Sequence, residues 1–144
     1  MKKFISHIAV FLLLGSAYAQ NREGITTLGK DTIFFEGMHK GDTVEAVFHF
    51  MNAGLEKFKI WQVHPGCQCT APVFPKDTMV PGHRDSVVLV FYSGHTEPGE
   101  FDKAAIVLAP HGEVNYHIMG TLLAKDEKRV NRRYRVSNQL RIDN

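Results

Sequence analysis

Only two cysteines occur in 144 residues, Cys67 and Cys69. Two thiols a single residue apart cannot form a disulfide framework, so the chain has to fold on an ordinary apolar core. Neither sign of charge dominates. Seventeen Lys and Arg against fifteen Asp and Glu leave a net +2, and a strongly basic nucleic-acid binder would show more. Long apolar runs are missing as well. The mostly apolar stretch Phe4 to Leu14 would span about 16 Å as a helix, roughly half a bilayer core, so no transmembrane anchor is expected. Also absent are G-x-S-x-G, H-E-x-x-H, a phosphate-binding glycine loop and a dinucleotide fingerprint. These absences point to a non-enzymatic protein that needs no cofactor, with a thiol-dependent activity at Cys67 and Cys69 as the one exception.

The first residues carry an address. Lys2 and Lys3 precede the apolar stretch, and Ala17-Tyr18-Ala19 has the small-x-small form of a cleavage site. Residues 1–19 therefore read as a secretory signal peptide. Gln20, not cysteine, follows the cut, so no lipid attachment is expected. The mature chain, Gln20 to Asn144, is expected in the periplasm or the medium, both oxidising compartments.

The small net charge conceals an asymmetry. From Gln20 to Leu123 there are eight basic and twelve acidic residues. From Ala124 to Asn144 there are seven basic and three acidic. A mildly acidic body is followed by a basic tail.

Between lead-in and tail the chain reads as strands. Thr43 to Asn52 places Val44, Ala46, Phe48 and Phe50 on one face at period two, with Glu45 and His49 on the other. Ser86 to Tyr92 is continuously apolar, which predicts a central strand covered on both faces. Further strands are expected at Thr32 to Phe35, Phe58 to Val63, Ala104 to Leu108 and Val114 to Leu123. Turn signals at Gly41-Asp42, Asn52-Gly54, Pro65-Gly66, Pro81-Gly82, Pro98-Gly99 and Pro110-Gly112 separate them. No amphipathic helix is evident in the body. The expected fold is all-β: an immunoglobulin-like antiparallel sandwich of about seven strands over residues 32–123. Residues 20–31 form a lead-in and residues 124–144 a basic tail. Phe48, Phe50, Ile60, Val90 and Phe101 are expected in one core.

The order of motifs supports the same fold. Phe48-x-Phe50-x-Asn52-x-Gly54 is followed by Phe58-x-Ile60-x-x-Val63 and Cys67-x-Cys69-Thr70-x-Pro72. Val80-Pro81-Gly82, Val90-Phe91 and Gly99-x-Phe101-x-Lys103 come next. From about Ile33 to Leu123 this pattern resembles the exported bacterial family known as domain of unknown function 1573. The resemblance implies an immunoglobulin-like sandwich related to major-sperm-protein and hydin-type domains, and it implies no activity. The family has glycine between its cysteines where this chain has Gln68. It has asparagine after the penultimate strand where this chain has Ala109-Pro110.

One segment has chemical character: His64-Pro65-Gly66-Cys67-Gln68-Cys69-Thr70. As a redox pair, Cys67 and Cys69 would close a very small and therefore reducible ring. As soft ligands they suit copper(I) or zinc, with His64 as a third donor, but no fourth ligand is evident and no metal is assigned. As small side chains they would simply pack at a strand-end corner. Packing is the expectation, because Gln68 replaces the glycine that would ease a tight ring.

Trp61 lies opposite Phe58 and Ile60 by strict alternation, which marks it as a candidate partner anchor. Core packing is the competing expectation, since sandwiches bury aromatics on both sheets. Arg132, Arg133 and Arg135 in the tail are candidates for an acidic partner or an anionic surface, against the ordinary alternative of a solvated tail. Taken together, the sequence points to an exported interaction module of the cell envelope. Its partner would be an envelope protein or other envelope component, not nucleic acid.

Overall fold

The computed structural model describes residues 24–124. The signal-peptide reading, the first four residues of the lead-in (20–23), and the basic tail with Arg132, Arg133 and Arg135 lie outside the described residues. Eight strands are present: β1 (Ile25–Leu28), β2 (Thr32–His39), β3 (Thr43–Asn52), β4 (Gln62–Pro65), β5 (Thr70–Val73), β6 (Arg84–Tyr92), β7 (Gly99–Ala109) and β8 (Gly112–Leu123). They form two four-stranded sheets, ordered β1-β3-β6-β5 and β2-β8-β7-β4. The first sheet has the A-B-E-D order of an immunoglobulin domain and β4-β7-β8 its C-F-G order, with β2 added beside the last strand.

Two of the eight strands, β1 and β5, were not expected, and one pairing departs from the antiparallel rule. β2 runs parallel to β8, with Ile33 opposite Ile118 and Phe35 opposite Gly120. The cause is a change of sheet early in the chain. β1 pairs with β3 in one sheet, the backbone turns at Gly29 with φ at 87°, and β2 then joins the other sheet. Only glycine reaches that φ at little cost.

The alternation in β3 places Ala46, Phe48 and Phe50 in the core and leaves Glu45, Val47 and His49 exposed. Two aromatic pairs tie the sheets together. Phe48 stacks on Tyr116 of β8 with ring centroids 4.4 Å apart, and Phe91 of β6 meets Phe101 of β7 at 5.0 Å. Ile60 is also buried. Val90 is not in this core. In β6 the buried residues are Val87, Leu89 and Phe91, whereas Val88 and Val90 are half-buried on the outer face. Among the described residues no layer covers that face, so the continuous apolar run marks one buried face rather than two.

Phe58 to Val63 is also less regular than expected. Phe58 forms a single bridge to Met79, and strand pairing resumes at Gln62.

The motif residue Asn52 has a physical role at the end of β3. Its buried side chain donates to the carbonyls of Glu56 (2.9 Å) and Met79 (3.1 Å), and its Oδ1 accepts the Gly54 N–H (3.0 Å). The Asn52 carbonyl accepts the Gly82 N–H at 2.8 Å. Asn52-x-Gly54 and Val80-Pro81-Gly82 are therefore two halves of one hydrogen-bonded corner.

Candidate functional site

β4 is the outer strand of one sheet and β5 the outer strand of the other, and they approach one another on one side of the sandwich. The chain crosses between the sheets through Gly66-Cys67-Gln68-Cys69. Hydrogen bonds hold both ends of this crossing. The Gly66 N–H donates to Ala104 O of β7 at 2.8 Å, and the Tyr92 N–H of β6 donates to Cys69 O at 2.9 Å. A Cβ on Gly66 would come within 3.2 Å of the same Ala104 oxygen, which explains the glycine there.

Within the crossing, Cys67 and Cys69 are joined by a disulfide, with their Cα atoms 5.2 Å apart. This corrects the expectation of two thiols packed in a corner. Gln68 does not prevent closure. No non-glycine residue among those described has a positive φ, so Gln68 takes an ordinary backbone conformation and its side chain stays exposed. Both cysteines are half-buried. Beneath them lies Thr70, 4% exposed, with its Oγ1 3.5 Å from Cys67 Sγ and 4.0 Å from Cys69 Sγ. Thr70 was legible in the sequence only as the residue after the second cysteine.

The bond contributes little to the fold. A loop this short removes little entropy from the unfolded chain, about 1–2 kcal/mol. Truncating one buried aromatic costs about 3–5 kcal/mol. The aromatic pairs, not the disulfide, hold the sheets together.

His64 is on β4, opposite Ile106, with its side chain exposed. Among the described residues, no three His, Cys, Asp or Glu side chains are grouped to hold a metal ion. The sulfurs are bonded to each other, so neither is a thiolate ligand as it stands.

Trp61 is 67% exposed, which overturns the expectation of core packing. Its backbone N–H donates to Leu108 O at 2.9 Å, fixing the segment beside β7 while the indole projects outward. Lys57 and Lys59 before it and Gln62 after it are exposed too. Val73 on β5 and Ile106 on β7 are further exposed apolar side chains on these strands. A large uncovered aromatic with basic neighbours thus precedes the edge strand β4, and the disulfide follows it in the crossing to β5.

Elsewhere, pairs of titratable side chains meet on the surface: His117 with Asp102 at 2.9 Å, Lys40 with Glu97 at 3.1 Å, His111 with Glu56 at 3.6 Å and His83 with Asp85 at 3.7 Å. In the core, the Tyr116 hydroxyl makes no hydrogen bond of good geometry. Burial pushes this phenol above its ordinary 10.0, with the nearby Thr27 side chain opposing the rise and Asp31 adding to it.

The family model described as "Protein of unknown function (DUF1573)" matches residues 26–122. The chain belongs to this family. The DUF1573 match takes in nearly all of β1 through β8, and with them Asn52, Trp61 and the cysteine pair.

Among solved structures, the chain is similar to the ASH/PapD-like domain 7 of human CEP192. The TM-score is 0.59 at 14% identity, over 85% of this chain and 97% of that one. It is also similar to part of a family 123 glycoside hydrolase from Clostridium perfringens, with TM-score 0.52 at 9% identity, over 67% of this chain and 24% of the enzyme. Part of the secreted serine protease VesC from Vibrio cholerae matches with TM-score 0.50 at 13% identity, over 71% of this chain and 24% of the protease. At these identities the likeness is one of fold. No curated protein matches the chain. No helix among the described residues is long and apolar enough to cross a membrane.

Proposed function

We propose that this DUF1573 protein is an exported, non-enzymatic binding module of the cell envelope, which holds an envelope protein against the side of the sandwich formed by β4 and β5. One observation carries the reading: Trp61 is 67% exposed beside an edge strand. Tryptophan is among the residue types most enriched at binding hot spots, because one rigid ring contributes a large contact area. The edge strand β4 adds unpaired backbone groups, along which an extended segment of a partner pairs as a further strand. Lys57 and Lys59 suit a partner with acidic residues beside its apolar contact. The lysine-led apolar stretch and the Ala17-Tyr18-Ala19 cut support export, with Gln20 as the first mature residue.

Trp61 is the only tryptophan in the chain, so its emission reports directly on this surface. Envelope extract passed over immobilised mature protein and over Trp61→Ala identifies a species that is retained only by the wild type. Titrating that species should shift the tryptophan emission to shorter wavelength. Trp61→Ala should weaken binding by about 30-fold, the effect of losing one hot spot of about 2 kcal/mol. Equal binding by both forms would refute the reading of the surface. A cytoplasmic protein that keeps residues 1–19 would refute export.

A further inference from the structure

We propose that Cys67 and Cys69 form a site for thiol–disulfide exchange with a dithiol protein, in which Thr70 receives the departing Cys67 sulfur. The site goes beyond partner binding through Trp61 and does not depend on it.

Four observations combine. The disulfide closes a ring over a single residue within one crossing, so it staples no distant parts of the chain. Structural disulfides resist reduction, whereas small-ring and exposed ones are the labile kind. The bond lies in the crossing between two edge strands, half-buried beside the exposed Gln68, with Cys69 packed on its inner side against the core. The backbone on either side is fixed to β7 and β6 through the Gly66–Ala104 and Tyr92–Cys69 hydrogen bonds. These bonds use no sulfur atom, so opening the disulfide leaves the two cysteines held for reclosure.

The fourth observation is Thr70. Its hydroxyl is buried, and the partners the structure gives it are the two sulfurs, Cys67 Sγ at 3.5 Å and Cys69 Sγ at 4.0 Å. Toward a disulfide it makes a weak contact. Toward a thiolate the same O–H makes a charge-assisted hydrogen bond, and such bonds are roughly twice as strong as neutral ones. The shorter distance selects Cys67 as the sulfur that leaves.

The exchange then balances. A thiolate of the dithiol protein attacks Cys69 Sγ, forming a mixed disulfide as the Cys67–Cys69 bond breaks and Cys67 departs as thiolate with the bonding electron pair. The partner's second thiol, deprotonated, attacks its own mixed-disulfide sulfur and releases Cys69. The partner gives up two electrons and two protons and becomes a disulfide. Cys67 and Cys69 become thiols.

The test uses the oxidised mature protein, with dithiothreitol and glutathione buffers as probes and alkylation with mass readout. Two alkyl groups should be acquired in the glutathione buffers. Thr70→Val should slow reduction by dithiothreitol about tenfold, the loss of one hydrogen bond to a charged sulfur, and should move Cys67 alkylation in the reduced protein to higher pH. Thr70→Ser, which keeps the hydroxyl, should retain the wild-type rate, and it carries the comparison if the valine variant does not fold. A bond that stays oxidised throughout the glutathione series would overturn the exchange site. A serine variant that is as slow as valine, or a valine variant as fast as wild type, would overturn the role of Thr70.

Discussion

Phe48→Ala tests the central joint of the sandwich. Phe48 is 1% exposed in the middle of β3, and its ring lies 4.4 Å from that of Tyr116 with the planes 14° apart. Truncation removes a buried aromatic and leaves a cavity, about 3–5 kcal/mol. Loss of the stacked pair adds about 0.5–1.5 kcal/mol beyond the area term. The expected cost is therefore about 4–6 kcal/mol. Small domains are stable by about 5–15 kcal/mol, so the loss should take between about a quarter of the margin and all of it. Thermal midpoints of domains this size move by roughly 4–8 °C per kcal/mol, which predicts a fall of at least about 15 °C.

Urea unfolding is the decisive assay. The midpoint should drop while the slope stays that of the wild type, showing that the same surface is exposed on unfolding. Val47→Ala is the control, because Val47 is the next residue along but is 40% exposed on the outer face. Its cost should stay within about 1 kcal/mol, near the range for surface changes. A loss below about 1 kcal/mol for Phe48→Ala, or equal losses at the two positions, would refute the assignment of faces in β3.

Three further outcomes are expected. Asn52→Ala should cost about 2–4 kcal/mol by urea unfolding, because the carbonyls of Glu56 and Met79 lose their buried donor together. Gly120→Ala should destabilise measurably in a thermal melt, since an added Cβ would overlap the Phe35 carbonyl of the parallel neighbour β2 and crowd the Phe101 ring. The Tyr116 phenol is pushed up by burial, so the unfolded chain loses this proton first as pH rises through 10.0. Its contribution should be fully present below that pH and fade above it, and Tyr116→Phe should remove that part of the alkaline decline in the urea midpoint.

The faces of β3 were legible because one side packs on a core and the other meets water, which forces alternation. The same logic misread β6. Val88 and Val90 are apolar without being covered, and composition alone does not distinguish a covered valine from a half-buried one. β5 carries little strand signal, because Thr70 to Val73 is short and contains Pro72. Proline argues against a strand except at an edge, and an edge is where β5 lies. The parallel pairing of β2 and β8 was beyond periodicity altogether. Period two says which face a residue occupies, and nothing about which strand it lies beside. Gly29 was the available signal, as the one residue in that stretch suited to turning a strand from one sheet into the other.

At the candidate site the sequence held more than the expectation drawn from it. Alternation from Phe58 and Ile60 already pointed Trp61 outward, and the general tendency of sandwiches to bury aromatics was weighed against it. The structure agrees with the alternation. For the cysteines the misleading sign is Gln68, because the ring closes around it without a positive φ.

Both features lie outside the joints that hold the sheets, which leads to the last prediction. Replacing Cys67 and Cys69 together by serine should lower stability by no more than about 1–2 kcal/mol, the entropy of so short a loop. The aromatic pairs Phe48–Tyr116 and Phe91–Phe101, and the backbone bonds from Gly66 and Tyr92, involve no sulfur atom. Urea unfolding of the double variant beside the wild type measures the difference. A loss approaching that of Phe48→Ala would mean that the disulfide is a structural staple, and the chemistry assigned to it would fall with that result.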